Sequence, residues 1–119
     1  MYKISKQFTF SASHELAQMP GGHPCKRVHG HNYVVEVELS SIHLDDYGMI
    51  LDYHELSKFK NYLDTAFDHR HLNDVLDGYP TAENLARHFF LWCRQRWSQV
   101  SAIRVSETPK TWAEYRDET

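Results

Sequence analysis

Four histidines and one cysteine fall between positions 14 and 31, and three of those histidines group with the cysteine by spacing. His14 ends the run Phe10-Ser11-Ala12-Ser13-His14, Cys25 follows, and His29-Gly30-His31 closes the group. Imidazole nitrogen and thiolate sulfur are the donors that zinc prefers. In an extended strand residues two apart point to the same side, so His29 and His31 project together. Gly30 between them leaves room for a backbone or a ligand to approach closely. A third imidazole from a neighbouring strand, His14, completes a three-histidine zinc site with one coordination position open, which is the pattern of a catalytic rather than a structural zinc. A closed structural site would draw on several cysteines, and one is present here. Cys25 therefore reads as a reactive thiol beside the metal and not as a ligand. Chance proximity in a chain with nine histidines would explain a lone His-x-His pair; it explains less once His14 and Cys25 lie alongside.

Two further groups carry chemistry. In Phe67-Asp68-His69-Arg70-His71-Leu72-Asn73 an adjacent carboxylate and imidazole can supply a proton relay, since an imidazole titrates near neutrality and a carboxylate can orient it. Asp68 is equally placed to take backbone amides at a helix end, and Arg70 or His71 to answer the helix dipole. Glu107, closing Val105-Ser106-Glu107, presents two acceptor oxygens that match a heterocycle edge with adjacent N–H donors, as in guanine or a pterin. Its other reading is a solvated carboxylate at a strand end. Lys26, Arg27, Arg70, Lys110 and Arg116 fit either phosphate contacts or open surface.

The elements that must hold these groups follow from periodicity. Tyr2, Ile4, Phe8 and Phe10 alternate, broken only by Lys6, and predict a strand running into His14. Pro20-Gly21-Gly22 marks a loop, and Tyr33 to Leu39 alternates again in a strand from about 31 to 40. Antiparallel pairing of the two brings His14 near His29 and His31. Asp45 to Gly48 is a turn, followed by a short extended Met49-Ile50-Leu51. Asp52 with Glu55 reads as a capping box ahead of a helix carrying Leu56, Phe59, Leu63 and Phe67. Residues 68–80 read as irregular. Thr81 opens a second helix with a stripe of Leu85, Phe89 and Trp92, extended by the stem of Arg96. Residues 100–107 and 111–115 give two more strands, separated at Pro109. The expectation is α+β: a four-stranded antiparallel sheet with two helices on one face, in a single domain spanning 1–119.

Composition narrows the function classes. A hydrophobic share of 41% and a charged share of 24% are ordinary for a globular protein. A net charge of −3 and a pI near 6.3 argue against general nucleic-acid or membrane-surface binding. Cys25 and Cys93 are too few for a disulfide framework, and Cys93 sits among Phe89, Phe90 and Trp92 as a buried, inert thiol. A reducing cytoplasm is the expected setting. Sheet edges and the second sheet face need cover, which favours an oligomer.

Taken in order, Phe8-Thr9-Phe10-Ser11-Ala12-Ser13-His14, Cys25-x-x-x-His29-Gly30-His31, Leu51-Asp52-Tyr53, Phe67 to Asn73, Pro80-Thr81-Ala82-Glu83-Asn84-Leu85-Ala86 and Val105-Ser106-Glu107-Thr108 resemble the 6-pyruvoyltetrahydropterin synthase family. The likeness is to its bacterial 6-carboxytetrahydropterin synthase branch, of queuosine biosynthesis. It implies a tunnelling fold, with the sheets of three chains closing into a barrel and two trimers stacking to a hexamer. It implies zinc on His14, His29 and His31, a catalytic thiol at Cys25, a relay at Asp68 and His69, and a pterin anchor at Glu107. The implied substrate is 7,8-dihydroneopterin triphosphate, converted to 6-carboxy-5,6,7,8-tetrahydropterin with loss of triphosphate and acetaldehyde. The three residues between Cys25 and His29 resemble the carboxy-forming branch. Formation of 6-pyruvoyltetrahydropterin, without carbon–carbon cleavage, is the neighbouring alternative. A zinc-binding module without catalysis is the remoter one, and it has no need of Cys25, the Asp68-His69 pair and Glu107 together.

Overall fold

The structure is a computed structural model that describes residues 1–116. Two long strands carry it. Strand β1 (Tyr2–His14) and β2 (His29–Ser41) pair antiparallel along their whole length, Tyr2 opposite Ser41 and His14 opposite His29. Then come α1 (Ser57–Ala66), β3 (Arg70–His71), α2 (Leu72–Val75), α3 (Ala82–Arg96), β4 (Val100–Thr108) and β5 (Thr111–Arg116). The sheet runs in the order β3-β1-β2-β4-β5.

The sheet differs from the sequence expectation in two respects. It has five strands instead of four, and it is mixed, because β3 lies parallel to β1 with Ala12 opposite Arg70 and Ser13 opposite His71. Neither β3 nor the one-turn α2 is long enough to leave a periodic signal in the polar segment 68–80. Met49 to Leu51 joins no strand, although Ile50 is buried in the core. The capping box is half right. Asp52 accepts from the His54 amide at 2.9 Å, but it caps a 3-10 turn (Tyr53–Leu56) that leads into α1, and Glu55 pairs with Lys58 instead.

Alternation decides which face is covered. Phe8, Phe10 and Ala12 of β1 share a face with Tyr33, Val35, Val37 and Leu39 of β2, and all are buried. That face meets the helices: Phe8 sits edge-on to Phe59 at 5.3 Å, and Phe10 contacts Phe67 and Phe89. Lys6 breaks the pattern without breaking the packing, since its ammonium lies over the Phe8 ring at 5.5 Å. Helix α3 begins where Thr81 accepts from the Asn84 amide, a cap worth about 1 kcal/mol. It buries Leu85, Ala86, Phe89, Phe90 and Cys93, and burial raises the Cys93 thiol pKa far above its ordinary value. The Arg96 guanidinium lies 3.6 Å from the Trp92 ring centre, which itself stacks on Tyr62.

Among the described residues the opposite face carries no helix, and it is polar. Its centre is Glu38, fully buried, bound by Arg104 at 2.6 Å, Arg116 at 2.8 Å, Ser101 at 2.5 Å and Lys3 at 3.3 Å. Arg116, a candidate for phosphate, is thus committed to Glu38 and Glu114. No helix among the described residues is long and apolar enough to cross a membrane.

Candidate active site

The ladder that builds the core also ends in the histidines. Because His14 stands directly opposite His29, and His31 opposite Ala12, all three imidazoles emerge on the helix-covered face beyond the last aromatic pair, Phe10 stacked on Tyr33. Their ring centres lie 4.5, 4.9 and 5.1 Å apart, and one ligating atom from each lies within 4.8 Å of the others. His14 is fully buried, while His29 and His31 are half-buried.

Backbone carbonyls fix the tautomers. His14 Nδ1 lies 2.7 Å from the Pro80 carbonyl oxygen, and His29 Nδ1 lies 2.7 Å from the Arg27 carbonyl oxygen. A carbonyl can only accept, so each Nδ1 carries the proton and donates it. The Tyr33 hydroxyl adds a longer contact to His14 Nδ1 at 3.3 Å. The two Nε2 atoms are then both lone pairs, and they face each other across 3.0 Å. His31 Nε2 is buried with no hydrogen-bond partner, with Glu107 Oε2 3.6 Å away. Two facing lone pairs, with a third, buried and unpartnered imidazole nitrogen in the same group, are what a cation satisfies, and carbonyl-anchored Nδ1–H groups are the usual support of metal-bound histidine. The site fits a metal. Burial holds His31 below its ordinary pKa; Glu107 opposes this, while His14 and His29 add to it, so the ring favours its neutral, ligating form.

Cys25 is half-buried on a 3-10 turn (Pro24–Lys26) and is not among the three grouped histidines. Asp68 and His69 meet at the β1–β3 edge. Asp68 accepts from the Ser11 amide and from His69 Nδ1, both at 2.9 Å. Those bonds, the amide first, hold its carboxyl below the ordinary range. His69 adopts a left-handed backbone with φ of 59°, uncommon outside glycine, and its side chain is largely exposed. A cavity of about 470 Å³ joins these groups: His69 and His71 line it from one side, His31, Ser11 and Asn32 from the other. Gly30 also lines this cavity. A methyl there would meet only the Ala12 carbonyl at 3.4 Å, so open space rather than backbone crowding is its contribution.

Glu107 faces both ways. Beyond His31 it lines a second cavity of about 310 Å³ with Val105, Ala82, Ala113 and the exposed ring of Trp112. Burial, reinforced by Glu107, raises the Tyr33 hydroxyl pKa well above its ordinary value. The carbonyls of Pro80 and Arg27, the Ser13–His71 bond at 2.9 Å and the Trp112 wall escaped the sequence. A backbone carbonyl has no residue signature, and Trp112 gave no sign of facing Glu107 across the Pro109 turn. Of the basic candidates, Arg70 lines the larger cavity and donates to the Thr65 carbonyl at 3.0 Å.

Comparison with known proteins bears on this geometry. The family model described as 6-pyruvoyl tetrahydropterin synthase matches residues 3–118. A protein of Archaeoglobus fulgidus provisionally named a 6-carboxy-5,6,7,8-tetrahydropterin synthase is 37% identical, with 91% of this chain and 90% of the relative covered. The 6-carboxy-5,6,7,8-tetrahydropterin synthase of Haemophilus influenzae is 30% identical, with 98% and 100% covered. Among solved structures, the 6-pyruvoyl tetrahydropterin synthase of Caenorhabditis elegans superposes with a TM-score of 0.86 at 26% identity, covering 98% of this chain and 96% of that one. An uncharacterized protein of Wolinella succinogenes gives 0.88 at 22% identity, with 98% of each chain covered, which speaks for the α+β tunnelling fold alone. With its fold, its histidine centre and these matches in agreement, the chain belongs to the 6-pyruvoyl tetrahydropterin synthase family.

Proposed function

We propose that the protein is a zinc-dependent lyase that converts 7,8-dihydroneopterin triphosphate to 6-carboxy-5,6,7,8-tetrahydropterin, releasing acetaldehyde and triphosphate, as in queuosine biosynthesis in the cytoplasm. The observation that carries the reading is the convergence of one imidazole nitrogen from each of the three histidines, with the unpartnered His31 Nε2 beside Glu107 at 3.6 Å. The names of the Archaeoglobus and Haemophilus relatives favour the carboxy product.

His14, His29 and His31 would hold the zinc, which when bound supplies Lewis-acid polarisation of the substrate's side-chain oxygens. The chain's own residues do the rest. Glu107 accepts from the 2-amino group and N3–H of the pterin, holding the ring in the cavity walled by Trp112 and so fixing where the side chain lies. Cys25 takes a proton from the side-chain carbon. His69, its Nδ1–H held by Asp68, presents Nε2 to the larger cavity, to accept a proton when neutral or donate one when charged.

Outside the short β3 contact, the outer edge of β1 lacks a ladder partner among the described residues, and β5 is the opposite edge of the sheet. Unpaired edges of this length invite a second strand. This supports closure of three sheets into a barrel, and two such trimers into a hexamer.

The test is a product assay. Incubation with dihydroneopterin triphosphate should release acetaldehyde and triphosphate in equal amounts with 6-carboxytetrahydropterin. Triphosphate without acetaldehyde would reassign the enzyme to 6-pyruvoyltetrahydropterin formation, and no consumption at all would leave a zinc-binding module.

A further inference from the structure

His23 has no part in the chemistry above, yet its side chain makes a specific bond. It is the N-cap of the turn that carries Cys25: its backbone is extended (φ −68°, ψ 131°), Pro24 follows at the first position, and Cys25 is the second. The Cys25 amide donates to His23 Nδ1 at 3.1 Å. Serine, threonine, asparagine and aspartate are the common residues at such a position, and they accept through oxygen. Here a neutral imidazole accepts through nitrogen. Backbone bonds hold the surroundings, the His23 amide to the Pro20 carbonyl at 3.1 Å and the Leu16 amide to the Cys25 carbonyl at 2.9 Å. The turn then ends at Arg27, whose carbonyl orients His29.

We infer that His23 is a positioning residue that sets the Cys25 thiol for proton transfer by capping the turn beneath it. The inference rests on Cys25 being the base in the proposed reaction. Its physical content is separate from that role: a hydrogen-bond acceptor at position 23 is required, and the imidazole as such is not. Backbone bonds from the Lys26 amide to the His23 carbonyl at 3.1 Å and from the Arg27 amide to the Pro24 carbonyl at 3.2 Å close the turn, while the Cys25 amide itself is held by the His23 ring, so loss of the cap frees the residue that bears the thiol. The histidine ligands sit on long paired strands and keep their register without it.

His23→Ala and His23→Asn separate the possibilities, since asparagine restores an acceptor oxygen at the N-cap. With His23→Ala, kcat should fall roughly five- to tenfold, the scale of a lost cap, with KM and zinc content unchanged. His23→Asn should recover most of that loss. Hydrogen exchange at the Cys25 amide should follow the same order: slow in wild type, faster in the alanine variant, slow again in the asparagine variant. Equal turnover in wild type and His23→Ala would overturn the inference, as would an asparagine variant as slow as the alanine one, which would give the imidazole a chemical role. Cys25→Ala serves as the control for the underlying reading. If it retains activity, Cys25 is not the base, and the exchange data still report whether His23 caps the turn.

Discussion

His14 and His29 stand directly opposite each other in the β1–β2 ladder, and their Nε2 atoms face each other across 3.0 Å while each Nδ1 is committed to a backbone carbonyl. Two lone pairs held this way repel unless a cation lies between them. A bound metal should therefore stabilise the fold by mass action, by about 2.7 kcal/mol at a hundredfold excess over its dissociation constant. Stripping the protein with a chelator should lower its melting temperature by roughly 5 °C or more. A His31→Ala variant should show little response to the chelator. Equal melting temperatures for metal-loaded and stripped wild type would count against a metal at this position.

Cys25 lies outside the ligand group. Cys25→Ala should keep zinc and oligomeric state while turnover falls by roughly two to four orders of magnitude, the range for acid–base groups. Metal analysis beside steady-state kinetics checks this. Loss of zinc from the variant would make the thiol a ligand.

Glu107 lies between His31 and the cavity walled by Trp112. Glu107→Gln keeps the shape but turns one acceptor into a donor facing a ring N–H. Unsatisfied buried groups cost about 1–3 kcal/mol each, so dihydropterin affinity should drop at least tenfold, with zinc content unchanged. Calorimetric titration decides it. Unchanged affinity would make Glu107 a solvated carboxylate, and loss of zinc would make it a fourth ligand.

Glu38 predicts an acid response unconnected with catalysis. Burial alone would raise its pKa, but hydrogen bonds from Arg116, Ser101, Arg104 and Lys3 outweigh burial and hold it well below the ordinary 4.5. A carboxylate with a depressed folded pKa contributes its full stability above the unfolded value and loses it as pH falls through the folded one. Stability should therefore hold down to about pH 4.5 and decline below it. Glu38→Gln should flatten that decline and cost roughly 1–3 kcal/mol at pH 7, a range discounted for the half-exposed arginines. Denaturant midpoints measured against pH provide the check, and parallel curves for wild type and variant would remove Glu38 from the explanation.

What was legible in the sequence is what repeats or pairs. Alternation gave β1, β2, β4 and β5, and the antiparallel pairing expected of β1 and β2 brought His14 to His29. The apolar stripe with Thr81 ahead of it gave α3. Strand β3 was hidden because two residues, Arg70 and His71, cannot show a period, and their pairing depends on Ala12 and Ser13 far away in the chain. The histidines were legible as donors. Their orientation was not, because Pro80 and Arg27 act through carbonyls that every residue possesses. The left-handed backbone at His69 was likewise hidden, since no glycine marks it. The cap that His23 makes exists only in the fold of the turn.

Zinc titration into metal-free protein, with turnover of dihydroneopterin triphosphate followed at each addition, tests most directly whether the three histidines hold the metal that the reaction needs. Activity should rise linearly and stop at one zinc per chain, and a His29→Ala/His31→Ala variant should neither bind the metal nor recover turnover. Full turnover in the metal-free protein, or unchanged zinc binding by that variant, would contradict the assignment.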